Sequence, residues 1–84
     1  LRCQATGRKV TVLSSQPAAV LYTGNWLAGG CPKTKSDKYY QDYAGVAIEC
    51  QGFSDAVNHP DFPSIYLKAD ELYCNKIVFK LEQF

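Results

Sequence analysis

His59, Asp61 and Lys76 are the residues whose types could perform chemistry together. His59 is the only histidine of the 84-residue chain, and Asp61 follows it two positions later in the stretch "HPDFPSIYLKADELYCNKIVF". In an extended segment these two side chains point to the same face, and Lys76 opens the apolar strand that follows. Because an acid, a histidine and a cation are the groups that cleave RNA, the set suggests nuclease chemistry. The alternative, an exposed and idle loop histidine beside a proline, is the interpretation we favour for His59.

The elements that must position these residues are predicted from their patterning. Residues 8–13, "RKVTVL", are rich in β-branched side chains, which predicts a short first strand. A serine cap and Pro17 in the first turn predict a helix over about residues 15–23, which Gly24 and Asn25 would end. Alternating patterns then predict strands in "YAGVAIECQGF", "SIYLK" and "KIVFKLE", the last with Ile77, Phe79 and Leu81 on one face.

One helix followed by several strands predicts an α+β fold with the helix packed on one face of a curved antiparallel sheet. We expect one domain over residues 1–84, with Trp26 as a core anchor beside the helix. A chain this short buries only about 60–65% of its unfolded surface, so additional covalent constraints are expected.

The four cysteines are the candidates for such constraints, and they predict two disulfides and an oxidising compartment. Of the three possible pairings we favour Cys3–Cys74 and Cys31–Cys50, the first because it would tie down the amino end. No zinc site or other cofactor is expected, because no two cysteines stand at C-x-x-C spacing. Without a leader segment or an initial methionine, the sequence is interpreted as a mature secreted form.

A net charge of +1 gives no general attraction to phosphate backbones, and no apolar run is long enough to span a membrane.

In order along the chain come "LRC", an Ala-rich segment, "YYQDYAG", "DFP" and "KIVF". With this order the chain resembles the guanyl-specific microbial ribonucleases and, more closely, the ribonuclease-like secreted effectors of powdery mildew fungi. The resemblance covers most of the chain, although each motif is short.

The resemblance implies a dismantled active site. The family's glutamate base falls on Asp61, which is one methylene shorter, and a misplacement of about 1 Å can cost about 10²-fold in rate. The family's arginine falls on Lys76, which lacks the two-pronged guanidinium, and one family histidine falls near Lys38. The second histidine has no counterpart in the sequence.

Two further groups of residues are candidates for binding. The basic loop "KTKSDK" can contact phosphate, and the tyrosines of "YYQDY" can stack bases, although we favour a solvated loop and tyrosine packing. These candidates are Lys33, Lys35, Tyr39, Tyr40 and Tyr43.

The resemblance implies a secreted, non-catalytic effector that is delivered into plant cells. Its expected partners are a host plant protein, an immune receptor among them, and weakly bound RNA. No membrane partner is expected, and the protein is predicted to be a monomer. Contacts are expected in the loops at residues 27–38 and 54–63. Two alternatives stay open: a weak ribonuclease using Asp61, His59 and Lys76, and a small disulfide-stapled toxin of another α/β fold.

Overall fold

The computed structural model of the chain describes residues 1–30 and 33–84. Those residues form five strands: β1 (Arg2–Cys3), β2 (Arg8–Ser14), β3 (Ala18–Tyr22), β4 (Ala47–Gln51) and β5 (Ile77–Gln83). A single-turn 3₁₀-helix, Ala56–Asn58, lies between β4 and β5. The described part of the chain contains no α-helix, so the prediction of an α+β fold with a helix on a sheet is wrong.

The described residues group into two compact units. The first contains Leu1–Ala18 and Cys50–Phe84, and the second contains Ala19–Glu49. The prediction of one domain over residues 1–84 stays a prediction.

In the first unit, β1, β2 and β5 form an antiparallel sheet with β2 in the centre. The register pairs Val10 with Leu81 and Val12 with Phe79, whereas Lys9 pairs with Glu82. Because side chains alternate along a strand, the first two pairs share one apolar face and the third pair lies on the other. The predictions of strands at residues 8–13 and in "KIVFKLE" are confirmed.

The predicted helix over residues 15–23 is instead strand β3, which pairs with β4 in a two-stranded sheet. The physical reason lies in the segment "AAVLY". Valine and tyrosine favour strands, a nine-residue helix has little stability of its own, and a partner strand is available in β4. The strand predicted around Val46 to Gln51 is confirmed as β4, but "SIYLK" forms no strand.

Few apolar side chains are covered within the described residues. Ala56 is the one buried hydrophobic residue among them. Phe79 and Leu81 on the apolar face of β5 are 60% and 78% exposed. Trp26 is 80% exposed, so its prediction as a core anchor is wrong.

None of the helical segments in the described ranges has the length and apolar character that crossing a lipid bilayer requires.

Candidate functional site

His59 is held by Asp55, four residues earlier, rather than by Asp61. Its Nε2 lies 3.3 Å from Asp55 Oδ2, and its ring stacks on Phe62 with centroids 4.8 Å apart. Asp55 adopts a left-handed backbone at φ 59° and also accepts a hydrogen bond from the Asn58 side-chain amide. The segment is a turn and not an extended strand, and therefore the predicted same-face pair of His59 and Asp61 does not form.

Asp61 and Lys76, on which the ribonuclease base and arginine were expected to fall, both lie outside the strands. Asp61 occupies a turn. Lys76 directly precedes β5, where its backbone N–H donates to Ser15 Oγ at 2.9 Å and its carbonyl oxygen accepts from Ser15 N–H at 3.0 Å. The described strands therefore do not carry Asp61 and Lys76 as a facing pair.

The predicted binding residues of the second unit lie mostly in exposed loops. Lys33 Nζ forms an ion pair with Asp37 at 2.9 Å and lies 5.5 Å from the centroid of the Tyr39 ring. The backbone N–H of Tyr43 donates to Gly24 O at 2.8 Å. The remaining candidates, Lys35 and Tyr40, are exposed, and a binding role for this group stays a prediction. Lys38, near which a family histidine was expected to fall, is exposed as well.

Cys3, Cys50 and Cys74 are free cysteines in the structure. The Cys3–Cys74 bridge is thus not formed between these two described residues, and Cys31, the expected partner of Cys50, lies outside the described residues. Hydrogen bonds from the Thr6 side chain, and then from the Thr6 backbone, lower the pKa of the exposed Cys3 thiol. The Cys31–Cys50 pairing stays a prediction.

Glu49 is the carboxylate that the fold places on a strand without engaging it. It lies in the middle of β4, exposed, between the half-buried Ile48 and Cys50. Within the described ranges its side chain makes no hydrogen bond or ion pair. An acid is an uncommon choice inside a strand, and a strand holds a side chain in place more firmly than a loop does.

Most other carboxylates of the described residues are already occupied. Glu82 pairs with Lys9 at 2.9 Å, and that contact lowers the pKa of Glu82. Asp42 and Glu71 accept backbone hydrogen bonds from Ala28 and Lys68. Asp37 and Asp55 contact Lys33 and His59, respectively.

Asp61 and Asp70 share the unengaged state of Glu49 but lie in turns. Glu49 is therefore the carboxylate best placed to take a proton from a bound molecule. The sequence pattern placed it within the strand predicted in "YAGVAIECQGF" and gave it no role. The signal that could have identified it is an acid at the centre of "AIECQ".

Comparison of the sequence with known proteins identifies the family of the chain. The family model described as aldose 1-epimerase matches residues 1–80. The chain belongs to the aldose 1-epimerase family. Its described strands and lack of any described α-helix agree with the β-sandwich of that family.

Individual relatives give the same result. The chain is 42% identical over 76 residues to galactose mutarotase of Rattus norvegicus, an alignment covering 90% of the chain and 22% of that protein. It is 40% identical over 76 residues to galactose mutarotase of Homo sapiens, with the same coverage of 90% and 22%. Aldose 1-epimerase of Haemophilus influenzae is 43% identical over 51 residues, 61% of the chain and 14% of that protein.

The chain thus spans about a fifth of the length of the mammalian relatives it matches (22%). No solved structure matches it.

These matches overturn the resemblance to ribonuclease-like effectors. Short motifs such as "DFP" and "KIVF" recur in unrelated proteins, whereas the family match extends over nearly the whole chain. The interpretations as a non-catalytic effector, a weak ribonuclease and a toxin are wrong. The expected plant partners depended on that resemblance and lose their support with it, whereas secretion, which was also predicted from the cysteines, stays a prediction.

Proposed function

We propose that the protein is an aldose 1-epimerase that interconverts the two anomers of an aldose, with Glu49 as a general base. Membership of the family supports the reaction, and the names of the mammalian relatives support galactose as the sugar. The observation that supports the residue is the unengaged carboxylate of Glu49 at the centre of β4.

The reaction consists of proton transfers and the reversible cleavage of the C1–O5 bond. A base removes the proton of the C1 hydroxyl while an acid protonates the ring oxygen, so that the C1–O5 bond breaks and C1 becomes a carbonyl carbon. Rotation about the C1–C2 bond presents the opposite carbonyl face, and the ring oxygen adds to it as the two protons return. No atom is oxidised or reduced, and the other anomer is the only product.

Glu49 suits the base role better than the other acidic residue found on a strand. A carboxylate whose pKa is lowered holds a proton more weakly, and Glu82 is in that position because of Lys9. Glu49 has no described cation or donor that competes for its oxygens. Its rigid strand also favours a fixed orientation toward a bound sugar.

The test uses the protein at the full length that its gene encodes, with polarimetry of freshly dissolved α-D-galactose. The wild-type protein is expected to speed the approach to anomeric equilibrium above the buffer rate. Glu49→Gln keeps the shape but cannot accept the proton, and it is expected to reduce kcat by about 10²-fold or more.

The matched control is Glu71→Gln, since the amide oxygen of glutamine can still accept the hydrogen bond from Lys68 N–H that Glu71 accepts at 3.0 Å. This variant is expected to retain wild-type activity. Equal kcat values for Glu49→Gln and the wild type would remove Glu49 from the mechanism, and a wild-type rate equal to that of buffer would reject the epimerase assignment.

A further inference from the structure

Strand β5 has one edge that no strand of the described residues occupies. The sheet order is β1, β2, β5, so β2 pairs with one edge of β5 and the other edge is free among the described strands. A free edge can pair with a further strand, because its backbone N–H and C=O groups have no partner in the sheet. β5 spans seven residues, Ile77–Gln83, and contains no proline, so each of its residues can both donate and accept a hydrogen bond.

The register of the sheet fixes which backbone groups of β5 face the free edge. At the two positions that flank the strand, Ser15 N–H donates to Lys76 O at 3.0 Å and Phe84 N–H donates to Gly7 O at 2.9 Å. The even-numbered residues therefore bond toward β2. Residues that bond to one neighbouring strand alternate with residues that face the other side. The N–H and C=O groups of residues 77, 79, 81 and 83 thus point to the free edge.

Three of these four residues also carry the apolar face of β5. Ile77, Phe79 and Leu81 are exposed, and they lie on the same face of the sheet as Val10 and Val12, which pair with Leu81 and Phe79. A strand added at the free edge extends this apolar face if it contributes apolar side chains in the same alternation. β5 itself has that alternation.

We propose that the free edge binds β5 of a second copy of this chain, antiparallel and with Phe79 facing the partner's Phe79 across a two-fold axis. A two-fold contact requires a surface that is complementary to itself. In this register Ile77 lies opposite the partner's Leu81, and Lys76 lies opposite Glu82 of the partner subunit. Apolar pairs on one face and opposite charges on the other both stabilise neighbouring strands.

The nearest other registers are less favourable. Centring the contact on Lys80 places two ammonium groups directly opposite each other, which destabilises a strand pair. Centring it on Leu81 pairs Lys80 with Glu82, but it also places the Phe79 ring opposite the polar Gln83. The register centred on Phe79 is the one that combines apolar pairs with a complementary charge pair.

The first test is amide hydrogen exchange of the full encoded protein, measured residue by residue at low and high protein concentration. The amides of residues 77, 79, 81 and 83 are expected to exchange more slowly as the concentration rises, since only the dimer gives them acceptors. Sedimentation equilibrium is expected to show twice the chain mass over the same range. The amides of residues 78, 80 and 82 bond toward β2 and are the internal control, protected at every concentration.

The second test compares two variants of the full encoded protein that carry the same change of charge. Lys76→Glu turns both symmetry-related attractions with Glu82 into repulsions, and it is expected to raise the dimer Kd by about tenfold. Lys80→Glu places its new charge opposite the uncharged Val78 of the partner subunit and is expected to change Kd by less than about twofold. Both side chains are exposed, and circular dichroism verifies that each variant keeps the wild-type fold.

Four results would overturn the second copy as the occupant of this edge. Protection of the four outward amides at every concentration would mean that another segment of the same protein covers them, and fast exchange at every concentration would mean that nothing does. Equal Kd values for Lys76→Glu and the wild type, or a larger effect of Lys80→Glu, would contradict the register. None of these measurements involves sugar turnover, so their outcomes are independent of the epimerase assignment.

Discussion

Gly24 is the residue on which the local geometry of the second unit depends most visibly. It is buried, its φ is +75°, and its carbonyl accepts from both Leu27 and Tyr43. A Cβ placed on it would lie 2.7 Å from Gly45 O and 2.8 Å from a methyl carbon of Leu27. Both the left-handed backbone and the close approach of Gly45 therefore require glycine.

Gly24→Ala is expected to destabilise the protein by about 2 kcal/mol or more, because the backbone strain of a left-handed alanine adds to a steric clash. The measurement is the thermal unfolding midpoint of the full encoded protein. Gly29→Ala is the matched control, since Gly29 has a φ of +79° but open space around it. It is expected to cost only the conformational part, about 1 kcal/mol, and equal midpoints for the two variants would contradict the steric argument.

The alternative in which His59 and Asp61 share one face fails at the same scale, for a reason that lies in the backbone. The sequence shows an acid two residues after His59, which would share its face only in an extended chain. Asp55 instead takes a left-handed conformation, and the 3₁₀ turn that follows brings its carboxylate to the imidazole. Glu49 was given no role because a polar side chain on one face of an alternating strand is ordinarily interpreted as facing solvent, although an acid at the centre of "AIECQ" was visible in the sequence.

At the scale of elements, strands with clear alternation were predictable and the remaining segments were not. β2, β4 and β5 follow from apolar residues at every second position. Ser15 and Pro17, which precede β3, are helix-start signals. The pairing of β3 with β4 overrides them. "SIYLK" has the alternation of a strand but pairs with none of the described strands, and pairing is what the alternation alone cannot supply.

The pairing of β2 with β5 leads to a prediction about the titration of Glu82. Its pKa is lowered first by the hydrogen bond and charge of Lys9, with smaller contributions from Thr11 and Lys80. Lys9→Gln is therefore expected to raise the pKa of Glu82 toward its ordinary value of 4.5, as followed by NMR of the side-chain carboxyl carbon. Lys80→Gln is the control and is expected to cause a smaller rise.

The sign of the pH effect follows from the direction of this shift. A carboxyl whose pKa is lower in the folded state stabilises that state above its unfolded pKa, and the contribution is lost as the pH falls through the folded value. The acid limb of the stability curve is thus expected to flatten in Lys9→Gln. A larger pKa rise in Lys80→Gln than in Lys9→Gln would contradict the assigned cause.

At the scale of the whole molecule, the dominant observation is how little apolar surface the described residues cover. Ala56 alone among them is a buried hydrophobic residue, while Leu72, at 94% exposed, and Leu81, at 78%, represent many large side chains in contact with solvent. Burial of such side chains is the main source of folding free energy. Within the described ranges the chain therefore gains little of it.

The 84 residues expressed on their own are expected to unfold without a sharp transition and to bind a hydrophobic dye, since exposed apolar surface and loose packing produce both effects. Differential scanning calorimetry and dye fluorescence measure them. A cooperative heat-absorption peak from the 84 residues alone would show that their apolar faces are covered in a way that the described structure does not contain.

The fluorescence of Trp26 reports whether its indole is in contact with water. Trp26 is the only tryptophan in the 84 residues, and at 80% exposure its indole is in contact with water. Emission from this indole, excited selectively over the six tyrosines, is expected to be red-shifted and readily quenched by dissolved acrylamide. Any molecule that covers the Trp26 ring would shift this emission to the blue and protect it from acrylamide, so that binding at Trp26 can be measured without a label.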